Sequence, residues 1–236
     1  MATEAGSAVL KDAASKDAAT SESPERANRV YRFFRRLSLL AFPIFFRLRT
    51  RGLNKIPPHG PALLVVNHQS FLDSLFAGAP LPRPISYLAR DSLFRVPVVG
   101  WILRNTYVMP VNRESASSSS LRLAADRLKR GYLVGIFPEG TRSKDGQIGP
   151  LKPGFIALIR RGDIPLIPVG VAGTAAALPR GAWLVRPKPC RVVYGDPIPA
   201  EVLAKLVVKG NEQALLDEVR QRMIQCQREA QDWLGH

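Results

Sequence analysis

Two short segments of this 236-residue chain carry residue types that could do chemistry on an alcohol. The first, Asn67-His68-Gln69-Ser70-Phe71-Leu72-Asp73, sets an imidazole ahead of a carboxylate at the end of an apolar run. The second, Phe137-Pro138-Glu139-Gly140-Thr141-Arg142-Ser143, gathers Glu, Gly and Arg at the end of another. A neutral histidine can take a proton from a hydroxyl near pH 7, and an acid on its other ring nitrogen fixes the tautomer and stabilises the imidazolium that forms. Gly140 lets the backbone approach a ligand, and Arg142 offers a planar donor fork suited to phosphate. Glu139 would repel a phosphate it faced directly, so its expected work is to accept hydrogen bonds from an arginine or an acceptor hydroxyl and hold the site in shape. Arg113 is a second guanidinium from a separate loop, and Lys152 a lesser cation just beyond the second segment. The chemistry indicated is transfer of a group onto an alcohol that carries a phosphate.

Position gives the histidine its weight, because an acid shortly after a histidine is common by chance. Residues 62–66 read as a buried strand that delivers Asn67 and His68 to its carboxyl end, where ligands gather in open α/β sheets. His59 lies in a Pro57-Pro58-His59-Gly60 turn and His236 is the last residue, so neither competes. The alternatives are a helix cap for His68, a surface ion pair for Glu139 with Arg142, and a solvated loop residue for Arg113.

Around these segments, β-branched runs alternate with helical stretches from about residue 60, the mark of an α/β fold. Strands are expected at 84–89, 106–111, 132–137, 164–171, 183–187 and 190–194. Helices are expected at 69–78, 94–103, 117–130 with Gly131 as its cap, from Pro153 to Gly162, and over 211–233, which is long and amphipathic. The expected architecture is a single domain with a mixed sheet flanked by helices. There is no internal repeat, Gly-rich P-loop or dinucleotide fingerprint.

At 46% apolar the chain can fill one sizeable core, and two domains are not expected. Cys190 and Cys226 have no partners at ligand spacing, which argues against a metal site or a disulfide framework. The net charge of +15 is uneven. Residues 1–28 form a polar tail with few large apolar residues, expected to stay disordered, with no apolar segment of the signal-peptide type. Residues 26–51 hold arginines 26, 29, 32, 35, 36, 47, 49 and 51 and no acid. They enclose the apolar run 37–46, so that 29–52 reads as a basic amphipathic segment, and 53–236 as the catalytic domain. Ten residues of helix span roughly 15 Å, about half a hydrocarbon core, and burying the arginines to cross would cost about 3 kcal/mol each. A segment lying in one leaflet of an anionic membrane is the cheaper arrangement, and a core helix with a basic outer face the alternative. The expected location is peripheral or monotopic, at the cytoplasmic face. Nucleic acid is not an expected partner, because the basic block lacks interleaved base-reading residues and no nucleic-acid motif follows.

The Asn-His-x4-Asp segment, followed about 70 residues later by Phe-Pro-Glu-Gly-Thr-Arg-Ser, resembles the glycerolipid acyltransferase family, in particular its 1-acylglycerol-3-phosphate (lysophosphatidic acid) acyltransferases. Two weaker blocks fall in family order: 107–113, which departs from the pattern at Pro110 and Asn112, and the proline-containing apolar block 164–169. The resemblance implies His68 as general base and Asp73 as its orienting acid. It also implies Arg113, Glu139, Gly140 and Arg142 as the acceptor-phosphate site, a glycerolipid acyltransferase fold, and an N-terminal helical segment associated with the membrane. No cofactor is implied, only acyl-CoA or acyl carrier protein thioester as co-substrate. A glycerol 3-phosphate or other lyso-lipid acceptor, a hydrolase using Ser70, and a non-catalytic lipid-binding module remain open at this point.

Overall fold

The computed structural model describes residues 27–111, 118–160, 164–208 and 210–235. Its strands are β1 (Arg49–Arg51), β2 (Ala62–Val66), β3 (Ile85–Arg90), β4 (Met109–Val111), β5 (Leu133–Ile136), β6 (Leu166–Ala172) and β7 (Arg191–Tyr194). They form one sheet in the order β1-β7-β6-β2-β5-β3-β4. Every neighbouring pair is parallel except β6 with β7, so the sheet is mixed. β2 lies at its centre, paired to β5 and β6.

Both faces of β2 are covered, which is why its five residues are all buried and uniformly apolar. Leu63 and Val65 point into a core shared with α5 (Ser118–Lys129), α6 (Ile156–Ile159), α8 (Ala200–Leu206) and α9 (Glu212–Gly235). Ala62, Leu64 and Val66 point the other way, toward α2 (Asp73–Gly78) and a cluster containing Phe76, Ile167 and Tyr194. Each buried Leu or Phe in these layers is worth about 2–3 kcal/mol of apolar transfer. Phe42 and Phe46 of α1 (Arg29–Phe46) close the second layer, their rings 4.8 and 4.9 Å from that of Phe76. Asn28, grouped with the tail by composition, caps α1 by accepting from Tyr31 N at 2.7 Å. Residues 1–26 lie outside the described residues.

The expected strands and helices from 62 to 136 are present with shifted ends. The helix expected over 94–103 is two pieces, α3 (Asp91–Phe94) and α4 (Pro97–Asn105), because Pro97 starts a new helix instead of continuing one. The strand expected from 106 begins at Met109, after Tyr107 adopts a φ of +63°. Residues 183–187 are not a strand: Arg186 N donates to Ala177 O at 2.7 Å, closing a loop that Pro187 and Pro189 then lead into β7. Pro153 opens a 3-10 turn (Pro153–Phe155) ahead of the short α6, while the expected end at Gly162 lies outside the described residues. β1 lies within the stretch that charge alone groups with the basic segment, and pairs with β7 at one edge of the sheet.

Candidate active site

Because β2, β5 and β6 are parallel, the residues that follow them emerge at one edge of the sheet. After β2 come Asn67 and His68, after β5 the segment from Phe137, and after β6 Gly173 and Thr174. Asn67 extends the sheet with its side chain: Oδ1 accepts from Val171 N at 2.7 Å and Nδ2 donates to Val171 O at 3.0 Å. That pair of bonds pins the start of the turn that carries His68 to β6.

The chain then turns about a buried carboxylate. Asp73 is wholly buried, and its Oδ2 accepts from Gln69 N at 2.6 Å, from Ser70 N at 2.7 Å and from His68 Nδ1 at 2.9 Å. This arrangement explains why the helix expected from Gln69 begins only at Asp73: the amides of residues 69 and 70 bend toward the carboxylate. Oδ1 accepts from Thr174 Oγ1 at 2.5 Å. Asp73 therefore has both oxygens occupied, and the Nδ1 proton of His68 is fixed on the side facing it. Nε2 is left as the basic nitrogen, on a side chain that is 19% exposed.

The imidazole is also held by its faces. It stacks on Phe137 at 4.0 Å and 22°, and Phe137 stacks in turn on Tyr87 of β3 at 5.7 Å. Gly135 of β5 makes room for this stack, since a Cβ there would lie 2.2 Å from the Tyr87 ring.

Glu139 takes a different part from the one its type suggested. Its Oε1 accepts from His68 N at 3.0 Å and its Oε2 from Gly149 N at 3.1 Å, so its partners are backbone amides. Ser143 N donates to His68 O at 2.7 Å. The second segment thus clasps the main chain of His68 on both sides. Burial raises the Glu139 carboxyl above its ordinary range, and the two amides work against that rise. Gly140 has a φ of +69°, and a Cβ on it would lie 2.8 Å from Lys152 Nζ, so the lysine reaches over a position that only glycine leaves open. The Arg142 guanidinium sits 4.1 Å above the Phe71 ring, with Phe71 belonging to the turn between His68 and Asp73. Glu139 therefore contacts His68 itself, Arg142 stacks on the ring of Phe71 three residues on, and Lys152 lies over Gly140, while Arg113 lies outside the described residues.

Sequence reading missed the residues that brace the site from a distance. Thr174 follows the strand at 164–171, and a hydroxyl residue at that strand's carboxyl end was the available signal. Gln69 and Gln227 both donate to Gly146 O, at 3.0 and 2.8 Å, and Arg220 Nη2 donates to Ile148 O at 2.6 Å. The last two come from α9, so the C-terminal helix braces the loop that carries Gly149 to Glu139. Nothing in the local sequence marks that contact.

A buried acid and an oriented imidazole thus stand together at the carboxyl edge of an α/β sheet. Residues 47–172, more than half of the chain, match the family model described as Acyltransferase. The chain belongs to the acyltransferase family. It is 32% identical over 165 residues to a chloroplastic 1-acyl-sn-glycerol-3-phosphate acyltransferase of Brassica napus, covering 68% of this chain and 47% of that protein. It is 29% identical to the 1-acyl-sn-glycerol-3-phosphate acyltransferase of Bacillus subtilis, covering 71% of this chain and 82% of that one. The chain spans about half the length of its plant relatives. The crystal structure of the 1-acyl-sn-glycerophosphate acyltransferase PlsC from Thermotoga maritima superposes with a TM-score of 0.71 at 21% identity, over 96% of this chain and 88% of that one, and shares the fold.

Proposed function

We propose that this chain transfers a fatty acyl group from acyl-CoA or acyl carrier protein to the free hydroxyl of lysophosphatidic acid, forming phosphatidic acid. The observation that carries the proposal is the His68–Asp73 pair, 2.9 Å apart with the carboxylate wholly buried, on a turn whose Phe71 lies under the Arg142 guanidinium. The acceptor's identity rests on the relatives' names and on that guanidinium.

In this reading His68 Nε2 removes the hydroxyl proton as the oxygen attacks the thioester carbonyl. The imidazolium is stabilised by Asp73, the C–S bond breaks as the tetrahedral intermediate collapses, and the departing thiolate recovers the proton from His68. Direct transfer is favoured over an acyl-enzyme because Ser70 is wholly buried, with Oγ donating to Leu178 O at 2.8 Å and accepting from Leu72 N. A hydroxyl so engaged has no path to a substrate carbonyl. Arg142, Lys152 and Arg113 supply charge for the acceptor phosphate.

The membrane is the source of the acceptor in this reading. No helix among the described residues is long and apolar enough to cross a membrane. α1 nevertheless carries two apolar stripes. Tyr31, Phe42 and Phe46 face the protein, whereas Phe33, Leu37, Leu40 and Ile44 are 63%, 51%, 69% and 74% exposed along the other side. Exposed Arg32, Arg36 and Arg47 accompany them. Val98 and Trp101 of the neighbouring α4, with Phe71 and Leu75 at the catalytic turn, are also exposed. Such a surface fits one leaflet of an anionic bilayer.

The test is acyl transfer by purified protein in anionic vesicles, from labelled acyl-CoA to lysophosphatidate, glycerol 3-phosphate or lysophosphatidylcholine. Preference for lysophosphatidate with loss of about 100-fold or more in His68→Ala is expected. A variant retaining a tenth of the rate would overturn the base assignment. Arg142→Ala and Lys152→Ala should raise the KM for the phosphate acceptor more than that for the thioester.

A further inference from the structure

The loop between α7 (Thr174–Ala177) and β7 holds the most exposed large apolar residue among those described, and the active site does not use it. Trp183, Leu184 and Val185 are 89%, 59% and 43% exposed in succession. Below this tip the loop is well fixed. Arg186 N closes it onto Ala177 O at 2.7 Å, Ala182 N donates to Pro179 O, and Ala182 packs against the apolar cluster that also receives Phe42 and Phe46. A closed loop of this kind holds its tip out by construction, not by fraying. Its flanks carry Arg180, Arg186 and Lys188, all exposed, and the sequence has no acid from Ile164 to Gly195.

The loop is joined to the surfaces that matter for a lipid substrate. Its exit strand begins where Cys190 N donates to the carbonyl of Phe46, the last residue of α1, at 2.9 Å. At its entry, the Leu178 carbonyl accepts from Ser70 Oγ in the catalytic turn. An indole and two aliphatic side chains ringed by cations have the chemistry of the lipid headgroup boundary, where aromatic rings and guanidinium groups are both favoured.

We propose that this loop is a second lipid-surface anchor, in which Trp183, Leu184 and Val185 enter an anionic bilayer while Arg180, Arg186 and Lys188 meet lipid phosphates. The inference deepens the membrane reading above and rests on it. Anchored at α1 and again here, the protein would have its tilt against the membrane fixed, because a single helix lying in the surface leaves the body free to roll about the helix axis. The catalytic turn, tied to the loop's entry, would then meet the bilayer in one pose.

The test uses the full chain with Trp101→Phe and Trp233→Phe, leaving Trp183 as the sole indole, and vesicles of phosphatidylcholine with and without phosphatidylglycerol. On binding phosphatidylglycerol vesicles, Trp183 emission should shift to the blue and be quenched by lipids brominated on their acyl chains. Trp183→Asp in the otherwise unaltered chain should weaken vesicle partition about tenfold or more. Sedimentation with vesicles while Trp183 keeps its emission in water overturns the loop and spares α1. A Trp183 shift that survives Leu40→Glu with Ile44→Glu, together with unchanged sedimentation, supports the loop and sinks the reading of α1. Failure to sediment at all overturns both.

Discussion

The residue that most rewards attention beyond His68 is Thr174, because it is the group that occupies the outer oxygen of Asp73. With Oδ2 already taken by His68 Nδ1 and two amides, loss of the Thr174 hydroxyl leaves Oδ1 buried without that donor, a deficit worth about 1–3 kcal/mol. The carboxylate is then held through Oδ2 alone and can tilt against the imidazole. Thr174→Val should lower kcat about tenfold or more with KM little changed, and Thr174→Ser should restore it. A Thr174→Val enzyme with wild-type kcat but a reduced melting temperature would make the residue structural only. Glu139 offers a second test, of pH dependence. Its carboxyl is raised by burial, so between the ordinary glutamate value of 4.5 and its higher folded value the native protein holds a proton that the unfolded chain releases. Stability from this group is therefore greatest below 4.5 and is lost as pH rises through that window. The melting temperature of the wild type relative to Glu139→Gln should fall as pH climbs through it. A difference that instead grows would mean that the His68 and Gly149 amides outweigh burial.

At the scale of elements, the architecture depends on close approaches that only glycine permits. Gly170 of β6 lies against α9, where an added Cβ would stand 2.2 Å from the carbonyl carbon of Cys226 and 2.3 Å from Gln227 N. Those are backbone atoms, so relief requires moving the helix. Gly170→Ala should destabilise the fold by about 1–3 kcal/mol or more, read by denaturant midpoint. It should also slow turnover, since α9 holds the loop behind Glu139 through Arg220 and Gln227. An unchanged midpoint would show that α9 can shift freely. These approaches also mark the limit of what the sequence made legible. Uniformly apolar β2 and β6 and the periodic α5 and α9 were readable because burial on both faces, or on one stripe, imposes a pattern. The edge strand β1, three residues of Arg and Thr, has no such pattern; its partner β7 dictates it. Residues 183–187 misled in the opposite direction, since apolar side chains at an exposed loop tip have the composition of a strand. At the site, His68 and Asp73 were legible as a spaced pair, whereas the engagement of Glu139 by amides arises from contacts across about ten and seventy residues, to which local pattern is blind.

For the whole molecule, the net charge of +15 and the apolar stripe on α1 would make separable contributions to the membrane binding proposed above. Cations near an anionic surface add about 1 kcal/mol each and are screened by salt, while buried apolar area is not. Removing α1 would be a poor test, because Phe42 and Phe46 are packed against Phe76, and the chain leaving α1 leads directly into β1. Leu40→Glu with Ile44→Glu alters only the outward stripe, where both side chains are mostly exposed and support no core contact. Losing two large aliphatic side chains from the bilayer forfeits about 3–6 kcal/mol, so partition onto phosphatidylglycerol vesicles should fall at least about 100-fold. The melting temperature in buffer should hardly move. Raising salt should weaken binding of the wild type without abolishing it, and should weaken that of the double variant further, leaving it only the apolar hold of the loop that carries Trp183. Complete release of the wild type by salt alone would mean that the stripe never enters the lipid, leaving α1 a basic surface helix and nothing more.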